Sequence, residues 1–360
     1  MAQNALLFIP DISGFTEFVH HTEITHSQHI ISELLELLLD ANTIGLQLAE
    51  IEGDALFMYK LVDTPSKALI EQQIETMYLA FSKHINLYEH QRICHCGACS
   101  SAYNLKLKFI VHFGEIDFIK VRNAKKPYGS PVIQIHRLLK NDIDIKEYAL
   151  ITKAVFESED QINTITTIYD FGEITYSYID LEPLKLQLPE ASLIPDNVPK
   201  HKIYSTIELF NMPILDLYEV ISNFDYRLLW VKGIDELEYE KNKVNRAGLK
   251  HRCIINKNQE VIQTTISKKV ASNKLVYGES TDAIPFTKKL SVYYILEEKQ
   301  DEKTEMTIEI FADLKPLGLL MRPLLKKNFK KVVSENFKAL ILLIDSGFRL
   351  DQKNNYNEDH

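Results

Sequence analysis

Phe8-Ile9-Pro10-Asp11-Ile12-Ser13-Gly14-Phe15-Thr16, answered further along by Glu52-Gly53-Asp54-Ala55, decides how this chain is read. Leu6 to Ile9 is a short apolar run that predicts a buried strand. It ends at an acid, and a Ser-Gly-Phe-Thr turn leads into a helical pattern. Around Gly53 and Asp54 the stretch Gly45 to Tyr59 alternates polar and apolar residues, the pattern of a hairpin with an acidic tip. If the two strands are neighbours, Asp11 and Asp54 meet at one edge of a sheet. Beside them a helix N-terminus offers free backbone N–H groups to an anion. Two carboxylates with an anion hole suit Mg²⁺ or Mn²⁺ and a polyphosphate, because such ions are held by one or two carboxylates plus phosphate oxygens. The plainer duties of these residues are helix capping for Asp11 and chain reversal for Asp54.

Two more stretches follow in order. Phe109-Ile110-Val111-His112-Phe113-Gly114-Glu115-Ile116 is an apolar strand ending in His-x-Gly-Glu, and Tyr128-Gly129-Ser130-Pro131-Val132-Ile133-Gln134-Ile135-His136-Arg137-Leu138 opens a helix. With these four elements the first part of the chain, about residues 1–158, resembles the class III nucleotidyl (adenylate/guanylate) cyclase domain. The resemblance implies metal ligation by Asp11, Asp54 and the backbone carbonyl of Ile12, with the turn Ser13, Gly14, Phe15 and Thr16 facing phosphates. It implies a catalytic role for Arg137, which would stabilise charge on the transferred phosphoryl. It also implies a nucleoside triphosphate as partner and a homodimer, since such sites form between two domains and this chain holds one.

The resemblance has gaps. The family places an Asn four residues before the Arg, and Ile133 stands there with no donor or acceptor. The base-reading pair falls on Glu50 and Lys126, which reverses the arrangement that reads adenine. His112 is expected as a hydrogen-bonded strand histidine rather than a base, and spacing alone does not bring Glu115 to the site. Two functions of different class therefore stand side by side. One is a cyclase that turns a nucleoside triphosphate into a cyclic nucleotide and pyrophosphate. The other is a catalytically silent nucleotide- or partner-binding sensor.

A third signal is Cys94-His95-Cys96-Gly97-Ala98-Cys99, preceded by His90. Thiols at C-x-C-x-x-C spacing suit tetrahedral Zn²⁺. Cys94, Cys96 and Cys99 are the expected ligands, with His95, His90, water or another chain as the fourth. Incidental thiols are the alternative.

Composition narrows the classes. The 360 residues carry a formal net charge of -9, which argues against a general nucleic-acid binder. No apolar run approaches the ~18 residues needed to cross a bilayer, so an integral membrane protein is not expected. The N-terminus lacks the pattern of a secretory signal, and four cysteines make no disulfide framework, so a reducing, cytoplasmic setting is expected.

The architecture expected is α+β in two parts: a ferredoxin-like sandwich over residues 1–180, then a Pro-containing linker over 181–200 that should be extended. From 201 to 347 a strand, a short helix, several alternating strands and a long final helix, Pro323 to Asp345, resemble the helix-grip fold of the START/polyketide-cyclase-like (SRPBCC) superfamily. That resemblance implies a small apolar ligand as partner, either controlling the first domain or as the main role. Trp230, Phe224, Tyr226, Tyr293 and Phe311 either line its cavity or are core. Lys326, Lys327, Lys330, Lys331 and Lys338 form a basic helix face, read as solvated surface with anionic membrane as the alternative. Residues 348–360 are expected to be a disordered tail.

Overall fold

The computed structural model describes residues 2–20, 24–90, 92–93, 97–122, 124–156, 164–169, 171–189, 198–241, 243–255 and 259–350. The architecture is α+β, in two compact units: Met1–Glu89 with Gly97–Ala191, and His90–Cys96 with Ser192–His360.

The first unit runs β1 (Gln3–Ser13), α1 (Phe15–His20), α2 (Ile24–Asp40), β2 (Gln47–Glu52), β3 (Ala55–Leu61), α3 (Lys67–His90), α4 (Gly97–Ser101), β4 (Lys106–Val121), β5 (Ala124–Tyr128), α5 (Ser130–Leu138), β6 (Tyr148–Thr152), β7 (Thr164–Tyr169) and β8 (Gly172–Asp180). Its sheet has the order β2-β3-β1-β4-β6-β8-β7, with β5 paired to the far end of β4. The apolar centre of β1 is explained by its place between β3 and β4, where both faces are covered. Alternation sorts its side chains. Ala5, Leu7 and Ile9 join Ile135 and Leu138 of α5 in one cluster, while Phe8 meets Phe109 at 5.6 Å between ring centroids. Leu34 and Leu38 of α2 and Tyr78 and Phe81 of α3 are equally buried.

Buried polar groups fix the connections. Gln73 of α3 accepts from the backbone N–H groups of Thr43 and Ile44 through Oε1 (2.7 and 3.1 Å) and donates to the Ala41 carbonyl (2.8 Å). That holds the loop that delivers β2. The prolines do not make the stretch after β8 wholly extended: Glu182–Gln187 forms a short 3-10 helix, with Lys185 donating to Glu147 at 2.5 Å. Pro183 fits there because the first turn of a helix needs no N–H from it. Residues 190–197 of the expected linker lie outside the described residues.

The second unit runs β9 (His201–Phe210), α6 (Ile214–Ser222), α7 (Arg227–Trp230), β10 (Ile234–Glu238), β11 (Lys250–Ile255), β12 (Gln259–Ile266), β13 (Lys274–Thr281), β14 (Thr287–Glu298), β15 (Thr304–Leu314) and α8 (Pro316–Asp345). All neighbours in the sheet β10-β11-β12-β13-β14-β15-β9 are antiparallel. The buried side of α8, with Leu325, Val333, Phe337 and Leu340, shares a core with Trp230, Tyr277 and Tyr294. The final helix begins at Pro316 rather than Pro323, which lies inside it. A proline there removes one backbone donor, and the packing of the flanking turns carries the helix through. Tyr293, which is buried, and Phe311 lie outside the core that the sheet shares with α8. They pack together at 6.1 Å beneath the Lys268 ammonium, 4.7 and 5.3 Å from the two rings. Tyr294 points into the core, so strand alternation turns Tyr293 away from it.

Gly114 lets α5 sit close to β4, since a Cβ there would lie 2.5 Å from Cγ of Pro131. Gly114→Ala is therefore expected to destabilise the protein by about 1–3 kcal/mol, read from denaturant unfolding.

Candidate functional site

The site grows from the pairing of β1 with its two neighbours. Asp11 lies opposite Lys108 of β4 on one side and Ala55 of β3 on the other. Its Oδ2 is 3.1 Å from the Lys108 ammonium, and both side chains are largely shielded. Gly53 and Asp54 form the two-residue tip between β2 and β3, with Gly53 at φ 68°, a value that favours glycine at such a turn. The Ile12 N–H donates to the Asp54 carbonyl at 3.1 Å, which seats the tip against the end of β1. Asp11 and Asp54 thus come together as the sequence predicts, and buried Ile12, next to Asp11 on β1, stands across from Asp54.

The proximity shows in the chemistry. The Asp54 carboxyl is pushed up to about 6, first by burial and then by the charge of Asp11; a backbone hydrogen bond and Lys108 work in the other direction. Lys108 is a residue that sequence reading missed. The available signal was a lysine inside an apolar strand, directly opposite Asp11 once the strands are aligned.

Ser13, Gly14, Phe15 and Thr16 connect β1 to α1. Gly14 has φ 91°, and its carbonyl accepts from the Phe18 N–H at 3.0 Å. The Phe15 ring approaches Gly53, so turn and acidic tip are adjacent. A cavity of about 720 Å³ opens beside Ser13 and Gly14, with Lys106, Lys146, Ser101 and Asn104 on its wall and Glu17 as its acid. Neither lysine nor the asparagine was picked out from the sequence, because they lie far from the turn along the chain.

The remaining expected residues are more scattered. Glu50 and Lys126 do meet, as an exposed pair at 2.7 Å from Nζ to each carboxylate oxygen. Arg137 is on the exposed side of α5, one turn after Ile133, which is 59% exposed. The helix is tied to the acidic hairpin by His136, whose Nε2 lies 2.8 Å from Oε1 of Glu52 and whose ring packs edge-on against Phe57. His112 is buried between Thr152 Oγ1 (2.8 Å) and Gln134 Oε1 (2.9 Å). Burial pushes it down to about 4, so it stays neutral as a structural histidine. Glu115 is exposed.

Of the thiol cluster, Cys94, His95 and Cys96 lie outside the described residues, as does the side chain of His90. Cys99 is buried on α4 with Sγ 3.7 Å from Nδ1 of His26. Among the described residues no group of three or more His, Cys, Asp or Glu side chains is placed to hold a metal ion. Among them, too, no helix is long and apolar enough to cross a membrane.

Sequence reading also missed a polar cluster inside the second unit. The Arg227 guanidinium meets Glu279, and Tyr277 Oη donates to the same carboxylate at 2.6 Å. His251 Nε2 lies 3.7 Å from it, and its pKa is lowered mainly by burial. Burial opposes the charge of Glu279, yet Arg227 and His251 hold its carboxyl below the ordinary range.

Residues 31–148 match the family described as "Protein of unknown function (DUF2652)". A protein of Mycobacterium tuberculosis, "Uncharacterized protein Rv2561/Rv2562", is 31% identical over 183 residues, 49% of this chain and 82% of that protein. Among solved structures, a bacterial light-regulated adenylyl cyclase is 12% identical, covering 49% of this chain and 90% of its own, with a TM-score of 0.36. A START superfamily protein from Mycobacterium smegmatis is 14% identical, covering 40% and 98%, with a TM-score of 0.32.

The charge crowding at Asp54 has a measurable sign. The folded state holds this proton more tightly than the unfolded chain, whose value is near 3.8, so stability falls as pH rises between 3.8 and about 6. Asp54→Asn keeps the shape and removes the titration. Without metal, the variant is expected to melt higher than wild type above that window, and to show no such advantage below it.

Proposed function

The chain belongs to the same family as Rv2561/Rv2562, and we propose that its first unit is a nucleotidyl-cyclase-like module that holds a nucleoside triphosphate with Mg²⁺ or Mn²⁺. The observation that carries this reading is the convergence of Asp11 and Asp54, close enough for one charge to raise the proton affinity of the other. A dication fits there because it would relieve that repulsion, with hard oxygen donors of the kind such ions prefer. Lys108 is the competing cation already seated on Asp11.

In this reading Asp11, Asp54 and the Ile12 carbonyl hold the metal. When bound, it would supply Lewis acidity toward the ribose hydroxyl and the phosphates. The turn from Ser13 to Thr16, with Lys106 and Lys146 across the groove, would receive the polyphosphate. Arg137 would meet charge developing on the transferred phosphoryl, and Glu50 with Lys126 would face the base. A second copy of the chain would complete the site as a homodimer.

The domains of this reading are residues 1–180 and 201–347, with 181–200 as linker and 348–360 as tail. The second would act as the sensory half for a small apolar ligand. Two of its buried polar atoms, Arg227 Nε and His251 Nδ1, have no hydrogen-bond partner among the described residues and would suit a polar group on that ligand.

A second reading, a silent nucleotide-binding sensor, is favoured by Ile133. Its exposed side chain offers no hydrogen bond where a ribose contact is expected. Thermal shift and product chromatography with each nucleoside triphosphate and Mn²⁺ separate the two. Wild type should be stabilised by nucleotide with Mn²⁺, and Asp54→Asn should not; equal shifts in both proteins would refute the site. Product from wild type, raised by Ile133→Asn toward the ~10²–10³-fold worth of one preorganised contact, identifies a cyclase. Stabilisation without product from either protein identifies the sensor.

For the thiols, we propose that Cys94, Cys96 and Cys99 with His95 take Zn²⁺. Metal analysis of protein purified without chelator is expected to find about one zinc per chain. Its absence, with all three thiols open to alkylation in the native protein, would refute the assignment.

A further inference from the structure

Helix α8 buries one seam and leaves the opposite side bare. Leu317, Leu320 and Leu324 fall at i, i+3 and i+7, so they form one stripe; all three are exposed, Leu320 by 78%. Leu319 stands exposed beside them. The next turns carry Lys326, Lys327, Lys330 and Lys331 on the outside, and among the described residues only Lys331 of these four has an ion-pair partner, Glu335 at 3.9 Å.

A groove of about 890 Å³ lies between this helix and the edge strand β9, with Lys202, Arg322, Lys326 and Lys330 along it. Arg322 donates to the Lys202 carbonyl at 2.9 Å and so braces helix against strand. Lys202 is matched by Glu309 at 2.5 Å, which leaves the groove with a surplus of positive charge. The whole chain carries a net charge of -9, so this surplus is local and not a general property of the surface.

We propose that the α8–β9 face of the second unit docks on an anionic phospholipid surface. The leucine stripe enters the boundary of the acyl chains, and Lys326, Lys327 and Lys330 meet lipid phosphates at and beside the groove. A nucleic acid would satisfy the lysines and leave the leucines in water. A second copy of the chain, paired through the leucines, would cover them but leave the groove lysines without counter-charge. A neutral bilayer would leave the cations without counter-charge. The proposal does not rest on the reading of the first unit.

The experiment is co-sedimentation of the full chain with two kinds of vesicle, phosphatidylcholine alone and an equal mixture of phosphatidylcholine and phosphatidylglycerol. Wild type is expected to bind the mixed vesicles, weakly or not at all the neutral ones, and less as salt is raised. The double variant K326Q/K330Q should bind about thirtyfold more weakly, from about 1 kcal/mol per lysine near such a surface. L320S/L324S should lose roughly tenfold or more, since each leucine gives up apolar contact. These positions are exposed, so both variants should keep the circular dichroism and melting temperature of wild type; should L320S/L324S not fold, K326Q/K330Q still decides. Equal binding to both vesicles, or wild-type binding by K326Q/K330Q, would overturn the proposal. So would a dimer in solution that L320S/L324S dissolves while wild type ignores both vesicles.

Discussion

The register between β1 and β4, unbroken from Gln3 to Ser13, is the constraint on which the first unit depends. It puts Lys108 opposite Asp11 and leaves the other edge of β1 for β3, whose turn carries Asp54. Because side chains alternate with a period of two, Asp11 shares a face with Ala5, Leu7 and Ile9, and a slip of one residue would turn it to the face where Leu6, Phe8 and Ile12 are buried. The apolar run from Ala5 to Ile9 forbids that slip, since its buried side chains on both faces would have to exchange places. The electrostatics of the site follow from a hydrophobic decision: packing fixes the register, the register brings like charges together, and Lys108 offsets part of the repulsion.

The second unit meets a different problem. Arg227, Glu279, Tyr277 and His251 take charge and polarity into an interior built largely from aromatic and aliphatic side chains such as Trp230, Tyr218, Tyr294, Phe337 and Leu340. Such a buried pair adds little net stability over well-packed apolar groups, but losing one partner would leave an uncompensated charge. The same unit exposes leucines and lysines on α8. A helix with only a packing role turns its leucines inward, and the exposed leucines of α8 depart from that pattern.

Glycine placement shows how closely backbone and site are linked. At Gly114 and Gly318 an added Cβ would meet Pro131 or the Phe286 carbonyl, at 2.5 and 2.2 Å. The first lets α5 lie on β4 and so sets where His136 can reach Glu52. The second sits in the first turn of α8, where the helix leaves the sheet.

The sequence by itself determined the α+β class, the acidic strand end, the acidic hairpin and the long final helix. These rest on periodicity and turn chemistry, which act over a few residues: the run before Asp11, the Gly53-Asp54 tip, the amphipathic pattern of the last helix. Its reading of Pro323 as a helix start failed because packing of adjacent turns can outweigh one missing donor. Tyr293 is buried, as its core reading expects, but away from the α8 side of the sheet, because one step along a strand reverses the face. Only the tertiary structure decided the partners: Lys108 for Asp11, Glu52 for His136, Glu279 for Arg227, and Lys106 with Lys146 beside the Ser13 turn. These residues are separated by tens of positions, and a lysine that will neutralise an aspartate looks, in sequence, like any other lysine. Charge pairing is set by distance in space, which strand register fixes for Lys108 and Asp11 and the packing of helices and loops against the sheets fixes for the others.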